Sequence, residues 1–180
     1  MRATLGIFLG LSVAVLLRKP LESSMATHAL VQLPLLVAAG YLLAPRAAEH
    51  RAHPMAVPAL LIALFAAAIW MLPRMLDAAL STPEIELVKL FSLPLVVGLP
   101  LGWCWGQLSS LTRSFVWANL VSMLLILGWL YLAAPIRVCN FYVVSEQKTV
   151  GMLYLTFAAA IVAYWLPRVF LGGGPGRTAD

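Results

Sequence analysis

Residues 115–134 read FVWANLVSMLLILGWLYLAA, an apolar run without a single charge, stopped by Pro135. A helix needs roughly 20 mainly apolar residues to cross the hydrocarbon of a bilayer. Lipid offers no hydrogen bonds, so such a segment must satisfy its own backbone and is read as an α-helix. Five further runs of this kind flank it. They cover about 3–17, closed by Arg18 and Lys19; 25–44, followed by a polar stretch with Arg46, Glu49, His50, Arg51 and His53; and 55–72, ending at Pro73 and Arg74. The last two are 87–105, which contains Pro94, Gly98, Pro100 and Gly102, and 150–171, before a Gly- and Pro-containing tail at 172–180. The expected fold is all-α: one polytopic transmembrane bundle of about six spans with a flexible C-terminal tail.

Composition supports this. Of 180 residues, 62% are hydrophobic and 11% charged, and the mean hydropathy is +0.93. Soluble domains carry about 45–50% apolar and about 25% charged residues, so a water-soluble globule, a disordered tail and a nucleic-acid module are all excluded. The net charge of +5, from 12 Lys and Arg against 7 Asp and Glu, does not point to nucleic acid, because the basic residues stand singly between apolar runs as membrane loops do. The first run follows Arg2 and has the length of a signal sequence. It leads into Arg18-Lys19-Pro20 rather than a small-residue cleavage site, and is read as an uncleaved span.

With six spans, Arg2, Arg46, Arg51, Arg113, Arg168 and Arg177 fall on the side of the termini, and Arg18, Lys19, Arg74, Lys89, Arg137 and Lys148 on the other. The positive-inside rule therefore ties. Five of the seven acids (Glu22, Asp77, Glu84, Glu86 and Glu146) lie opposite the termini, which favours cytoplasmic termini, though acids weigh little in orientation. Cys104 and Cys139 then sit near opposite faces and cannot bond within one chain.

The unusual residues gather at the face opposite the termini: Met25 and His28, then Trp70, Met71, Pro73, Arg74 and Asp77, then Glu84, Glu86 and Lys89, and finally Arg137, Asn140, Tyr142, Glu146, Gln147, Lys148 and Gly151. Met25 and His28 are spaced to share a helix face, and imidazole with thioether is a soft donor pair suited to copper; the same spacing equally serves interfacial packing. Met71 and Met75 offer further thioethers or fill core gaps. Arg74 with Asp77, and Glu86 with Lys89, have the spacing of helical ion pairs. His50 and His53 flank Arg51; two His three apart can bind metal, but the charged surroundings favour a solvated loop. No His-Glu-x-x-His helix, pair of facing haem ligands, phosphate loop or ion filter is present, and the proline-interrupted fourth run has no counterpart that would make an internal transporter repeat. The chain is not expected to be an enzyme.

Three segments in order carry a family resemblance. Trp70-Met71-Leu72-Pro73, followed by Asp77-Ala78-Ala79-Leu80 and Pro83, resembles the Trp-His-x-Pro, Asp-x-Ala-Leu, Pro pattern of CtaG-like cytochrome c oxidase assembly factors. His28 to Pro34 is similar to that family's His-x-x-x-His helix, and Glu146-Gln147-Lys148-Thr149-Val150-Gly151 to its Asp-Gln-x-x-x-Gly segment. The likeness runs from about Met25 to Met152 and includes Phe91. It implies a bundle like the family's seven-span fold, a role in oxidase assembly or copper delivery, a bacterial inner-membrane location and a larger membrane complex as partner. Against the family pattern, Gln32 replaces the second His, Met71 the His after Trp, and Glu84, Leu87 and Val88 the later His-x-x-Glu-His set. The remaining candidate copper ligands are His28, Met25 and Met71. Lys89 beside the lost ligands would repel a cation, so this chain reads as a short, ligand-poor relative, or alternatively as a non-catalytic accessory subunit of a respiratory or copper-enzyme complex.

Overall fold

A computed structural model describes residues 2–45, 53–134 and 137–170. The loop charges Arg46, Glu49, His50 and Arg51, together with Pro135 and the tail at 172–180, lie outside the described residues. Within them every regular element is helical, as expected for a membrane bundle. We number the helices α1 (Arg2–Leu16), α2 (Arg18–Glu22), α3 (Met25–Leu43), α4 (Ala56–Met71), α5 (Pro73–Ser81), α6 (Pro83–Gln107), α7 (Ser110–Ala133) and α8 (Val144–Phe170).

Four of them, α3, α6, α7 and α8, are long and apolar enough to cross a bilayer; α4 and α5 pass that test together as a pair bent by 70°. The span count by length and composition is thus four to five, not the expected six. The shortfall is α1, whose 15 residues reach only about 22 Å at 1.5 Å per residue, against roughly 30 Å of hydrocarbon. Three spans also begin earlier than the apolar runs implied, at Pro83, Ser110 and Val144. Charged and polar first turns remain helical while their side chains reach the interface or find partners.

Prolines set the local geometry. Pro34 has no N–H to offer the carbonyl one turn earlier, and α3 answers with a widened turn over His28–Gln32, in which Leu33 N bonds His28 O. A similar widened turn covers Leu93–Gly98 in α6, around Pro94 and before Pro100. The bend between α4 and α5 falls at Leu72, which is extended (φ −65°, ψ 130°), as a residue before proline prefers. Beyond it α5 buries Pro73, Leu76 and Ala79, one face at helical spacing, and lies across the end of the bundle.

Helices α1 and α3 pack closely, with Gly6 against the backbone of Ala39. Helices α3 and α6 run parallel and approach so closely that a Cβ on Gly40 would stand 1.9 Å from Pro94 O, and one on Gly98 2.2 Å from Val37 O. Helices α7 and α8 form a hairpin with Gly128 facing Gly151. One apolar cluster (Leu33, Leu36, Ala63, Trp70, Leu76, Leu93) joins α3 to α6, and a second (Met25, Ala29, Tyr131, Tyr142, Tyr154) seats the hairpin on the start of α3. A third, around Leu60, Cys104 and Leu108, closes the opposite end.

Candidate functional site: a buried polar cluster at one end of the bundle

Lys89 is the centre. It sits on α6 one turn before the widened stretch, and its side chain is fully buried (0% exposed). An ammonium has three protons to place, and three acceptors surround it: Glu22 Oε1 at 3.1 Å, His28 Nε2 at 3.2 Å and Gln32 Oε1 at 3.4 Å. The widened turn of α3 sets His28 and Gln32 toward it, both buried. Short α2 carries Glu22 over the top.

The proton directions follow from the partners. His28 Nε2 accepts from Lys89, so Nδ1 carries the ring proton and donates to Tyr142 Oη at 3.0 Å. The Tyr142 hydroxyl in turn donates to Glu22 O at 3.1 Å. Gln32 Nε2 donates to Glu22 Oε1 at 3.1 Å. Arg18 approaches Glu22 Oε2 through Nε at 3.6 Å and bonds Glu86 Oε2 through Nη2. Of the whole cluster, only Glu86 Oε1 is buried without a partner. Burial alone would raise the Glu22 carboxyl, but the Gln32 hydrogen bond and the charge and hydrogen bond of Lys89 outweigh it and hold Glu22 below the usual carboxylate range. Burial, reinforced by the Glu22 charge, pushes the Tyr142 phenol up, so it stays a donor.

A second set of contacts ties down the 137–143 loop beside this cluster. Asp77 on α5 accepts from the backbone of Asn140 (2.9 Å to each oxygen), from Asn140 Nδ2 at 2.8 Å and from Phe141 N at 3.2 Å. Gln147 on α8 accepts from Val138 N at 3.3 Å and donates to Cys139 O at 3.1 Å. Trp70 Nε1 donates to Ser92 Oγ at 2.8 Å, joining the end of α4 to α6. The expected convergence is therefore found: segments around His28, Trp70, Asp77, Lys89 and Gln147 meet at one end of the bundle. Glu146 is half-buried there and Gly151 is buried one turn inward.

Two expected ion pairs are corrected. Lys89 bonds Glu22 rather than Glu86, and Glu86 bonds Arg18. Asp77 spends its oxygens on backbone N–H groups, while Arg74 is exposed. The helical spacing was right, but buried charges choose partners that cross the cluster. Arg18 and Glu22, which the sequence presents as loop charges, are central; their i, i+4 spacing was the available signal. His53 caps the opposite end, its ring 5.5 Å from Trp103 and its backbone N–H donating to Gln107.

The candidate copper set does not present a free donor set. Both nitrogens of His28 are engaged, one of them by a cation, and Met25 and Met71 pack in the apolar cluster with Tyr131 and Tyr154. Among the described residues no three of His, Cys, Asp and Glu gather to hold a metal ion. As arranged, these residues do not fit a copper ion.

Cys139 reports on the loop. It is buried and free, and burial together with the Asp77 charge pushes its thiol up to about 11. The thiolate is the reactive form, so alkylation in the folded protein should be slow at pH 8 and its rate should climb until about pH 11, not level off near 9. Asp77→Ala removes the clamp on Asn140 and Phe141 and the repelling charge together. It should speed Cys139 alkylation at least tenfold, in line with the roughly 1.5–3 kcal/mol of hydrogen bonds to a charged group, with Cys104 unchanged as internal control. An unchanged rate would mean that Asp77 does not hold the loop.

No family model, curated protein or solved structure matches the chain.

Proposed function

We propose that this chain is a multi-pass inner-membrane protein that serves the assembly of a respiratory or copper-enzyme complex through protein contacts, with its polar cluster acting as a structural lock. One observation carries the reading. The separate sequence segments that resemble the CtaG-like assembly factors, around His28, Trp70, Asp77 and Gln147, are the ones that meet at one end of the bundle. Alternating spans account for the shared end, but the bonds of His28 to Tyr142 and of Asp77 to Asn140 join the segments side by side, which supports reading them as one site.

What stands in that site favours contact chemistry over metal transfer. Lys89 takes up the acceptor atoms that Glu22, Gln32 and His28 would otherwise offer to a cation. A cluster whose donors and acceptors are matched specifies one arrangement of helices and holds the loop carrying Asn140 and Phe141 in a fixed shape. Phe141 and Val143 on that loop are exposed, a surface suited to a partner.

Affinity purification of the full chain from its own membranes in mild detergent, with metal analysis of the eluate, tests this. A membrane complex should co-elute in stoichiometric amount, and copper, where present, should follow that complex and be unaffected by His28→Ala. A monodisperse lone protein would overturn the assembly reading. Copper held by the isolated chain and lost in His28→Ala would overturn the structural one.

A further inference from the structure

Opposite the polar cluster, two contiguous cavities open where α7 meets α8. The first, of about 410 Å³, is lined by Trp105, Ser110, Arg113, Ser114, Trp117 and Trp165. The second, of about 370 Å³, shares Ser114, Trp117 and Trp165 and continues toward the middle of the span past Ala118, Val121, Ile161 and Val162. One is polar and charged, the other almost wholly apolar. Their order along the helices runs from the membrane end inward.

Arg113 stands in the polar cavity with capacity to spare. Among the described residues its guanidinium makes one hydrogen bond, from Nη2 to Gly106 O at 3.3 Å. Its Nε is buried with no partner among the described residues. No described carboxylate lies within ion-pair distance. A guanidinium cannot shed its charge, and a buried N–H without an acceptor costs about 1–3 kcal/mol, so the described residues leave this guanidinium in want of an acceptor of negative charge. The Trp117 and Trp165 rings pack 6.0 Å apart beside it, with Trp105 completing an aromatic set of the kind found at headgroup level.

We propose that this is a binding site for one anionic glycerophospholipid: its phosphate accepts from Arg113 and the Ser110 hydroxyl, while the Ser114 hydroxyl stays on Ser110 O at 3.0 Å, and one acyl chain lies in the groove between Trp117, Val121 and Ile161. Charge complementarity selects the headgroup. An arginine uncompensated among the described residues favours a lipid with net negative charge over a zwitterion, whose own cation would enter the same pocket. The continuity of polar and apolar cavities demands an amphiphile of this shape, and free phosphate would fill only half of it.

Native mass spectrometry of the full detergent-purified chain, supplied with dioleoyl phosphatidylglycerol or dioleoyl phosphatidylcholine, tests the site. One phosphatidylglycerol per chain should be retained, at least tenfold tighter than phosphatidylcholine, and millimolar inorganic phosphate should not displace it. Arg113→Gln should weaken retention at least tenfold. Ala118→Phe, which fills the apolar groove and leaves the arginine, should weaken it similarly. Arg137→Ala, at the other membrane end, should change nothing. Equal retention of the two lipids, or full retention in Arg113→Gln or Ala118→Phe with the helical circular dichroism of the parent, would overturn the proposal. If Arg113→Gln does not fold, the Ala118→Phe result and the lipid preference of the parent decide it.

Discussion

Lys89→Met should cost the folded protein about 3–5 kcal/mol, the magnitude expected when one partner of a buried ion pair is removed and the other stays. The side chain it deletes is completely enclosed, and three acceptors lose their donor at once: the Glu22 carboxylate, His28 Nε2 and the Gln32 carbonyl. Volume is nearly conserved, so cavity formation contributes little. The loss is electrostatic, a carboxylate left with Gln32 and a half-exposed Arg18 at 3.6 Å. Adding Glu22→Leu to Lys89→Met should recover part of the cost, because an apolar pair is often no worse than a buried ion pair. Denaturant unfolding in detergent followed by circular dichroism measures both. A Lys89→Met protein within 1 kcal/mol of the parent would show that the network is an ornament of the fold.

The same network makes an acid limb with a defined sign. Glu22 is held below its unfolded value of 4.5, so the unfolded chain binds more protons in the window beneath that pH. Its contribution is fully present above about 4.5 and drains away as pH falls through the folded value. Glu22→Gln should flatten that part of the stability profile.

The bundle was legible because it rests on hydropathy, and hydropathy is additive along the chain. The run at 115–134 needs no tertiary knowledge to be read as α7. The failure over α1 has the same origin in reverse: apolar content was visible, but 15 residues are too few for the hydrocarbon, and length decides. The gathering of His28, Asp77 and Gln147 at one end followed from alternating spans alone. The pairing inside the cluster did not. A sequence shows that Glu86 and Lys89 are three apart; it does not show that α2 folds back to place Glu22 over Lys89, or that Tyr142, more than a hundred positions away, closes on His28. Charge pairing in a low-dielectric interior is settled by whichever groups the backbone brings within hydrogen-bond reach, and that depends on the widened turn before Pro34.

Gly98→Ala and Gly40→Ala should each destabilise the protein beyond the roughly 1–3 kcal/mol of ordinary overpacking. The atoms a new methyl would strike are backbone: Pro94 O at 1.9 Å from a Cβ on Gly40, and Val37 O at 2.2 Å from one on Gly98. Backbone in a helix cannot rotate aside as a side chain does, so α3 and α6 must part by roughly 1 Å to regain tolerable contact. Those helices also carry His28, Gln32 and Lys89 at one end, and hydrogen bonds already at 3.1–3.4 Å weaken when their donors recede. The clash at the crossing is thereby transmitted to the polar cluster. Gly10→Ala provides the contrast, since its Cβ would meet only Ala39 Cβ at 3.6 Å. There the better helix propensity of alanine should act alone, with a gain of about 0.5–1 kcal/mol. Unfolding midpoints of the three variants measure the difference. Equal tolerance at all three positions would mean that α3 and α6 do not cross in backbone contact, and that the register of Lys89 against His28 is set by something else.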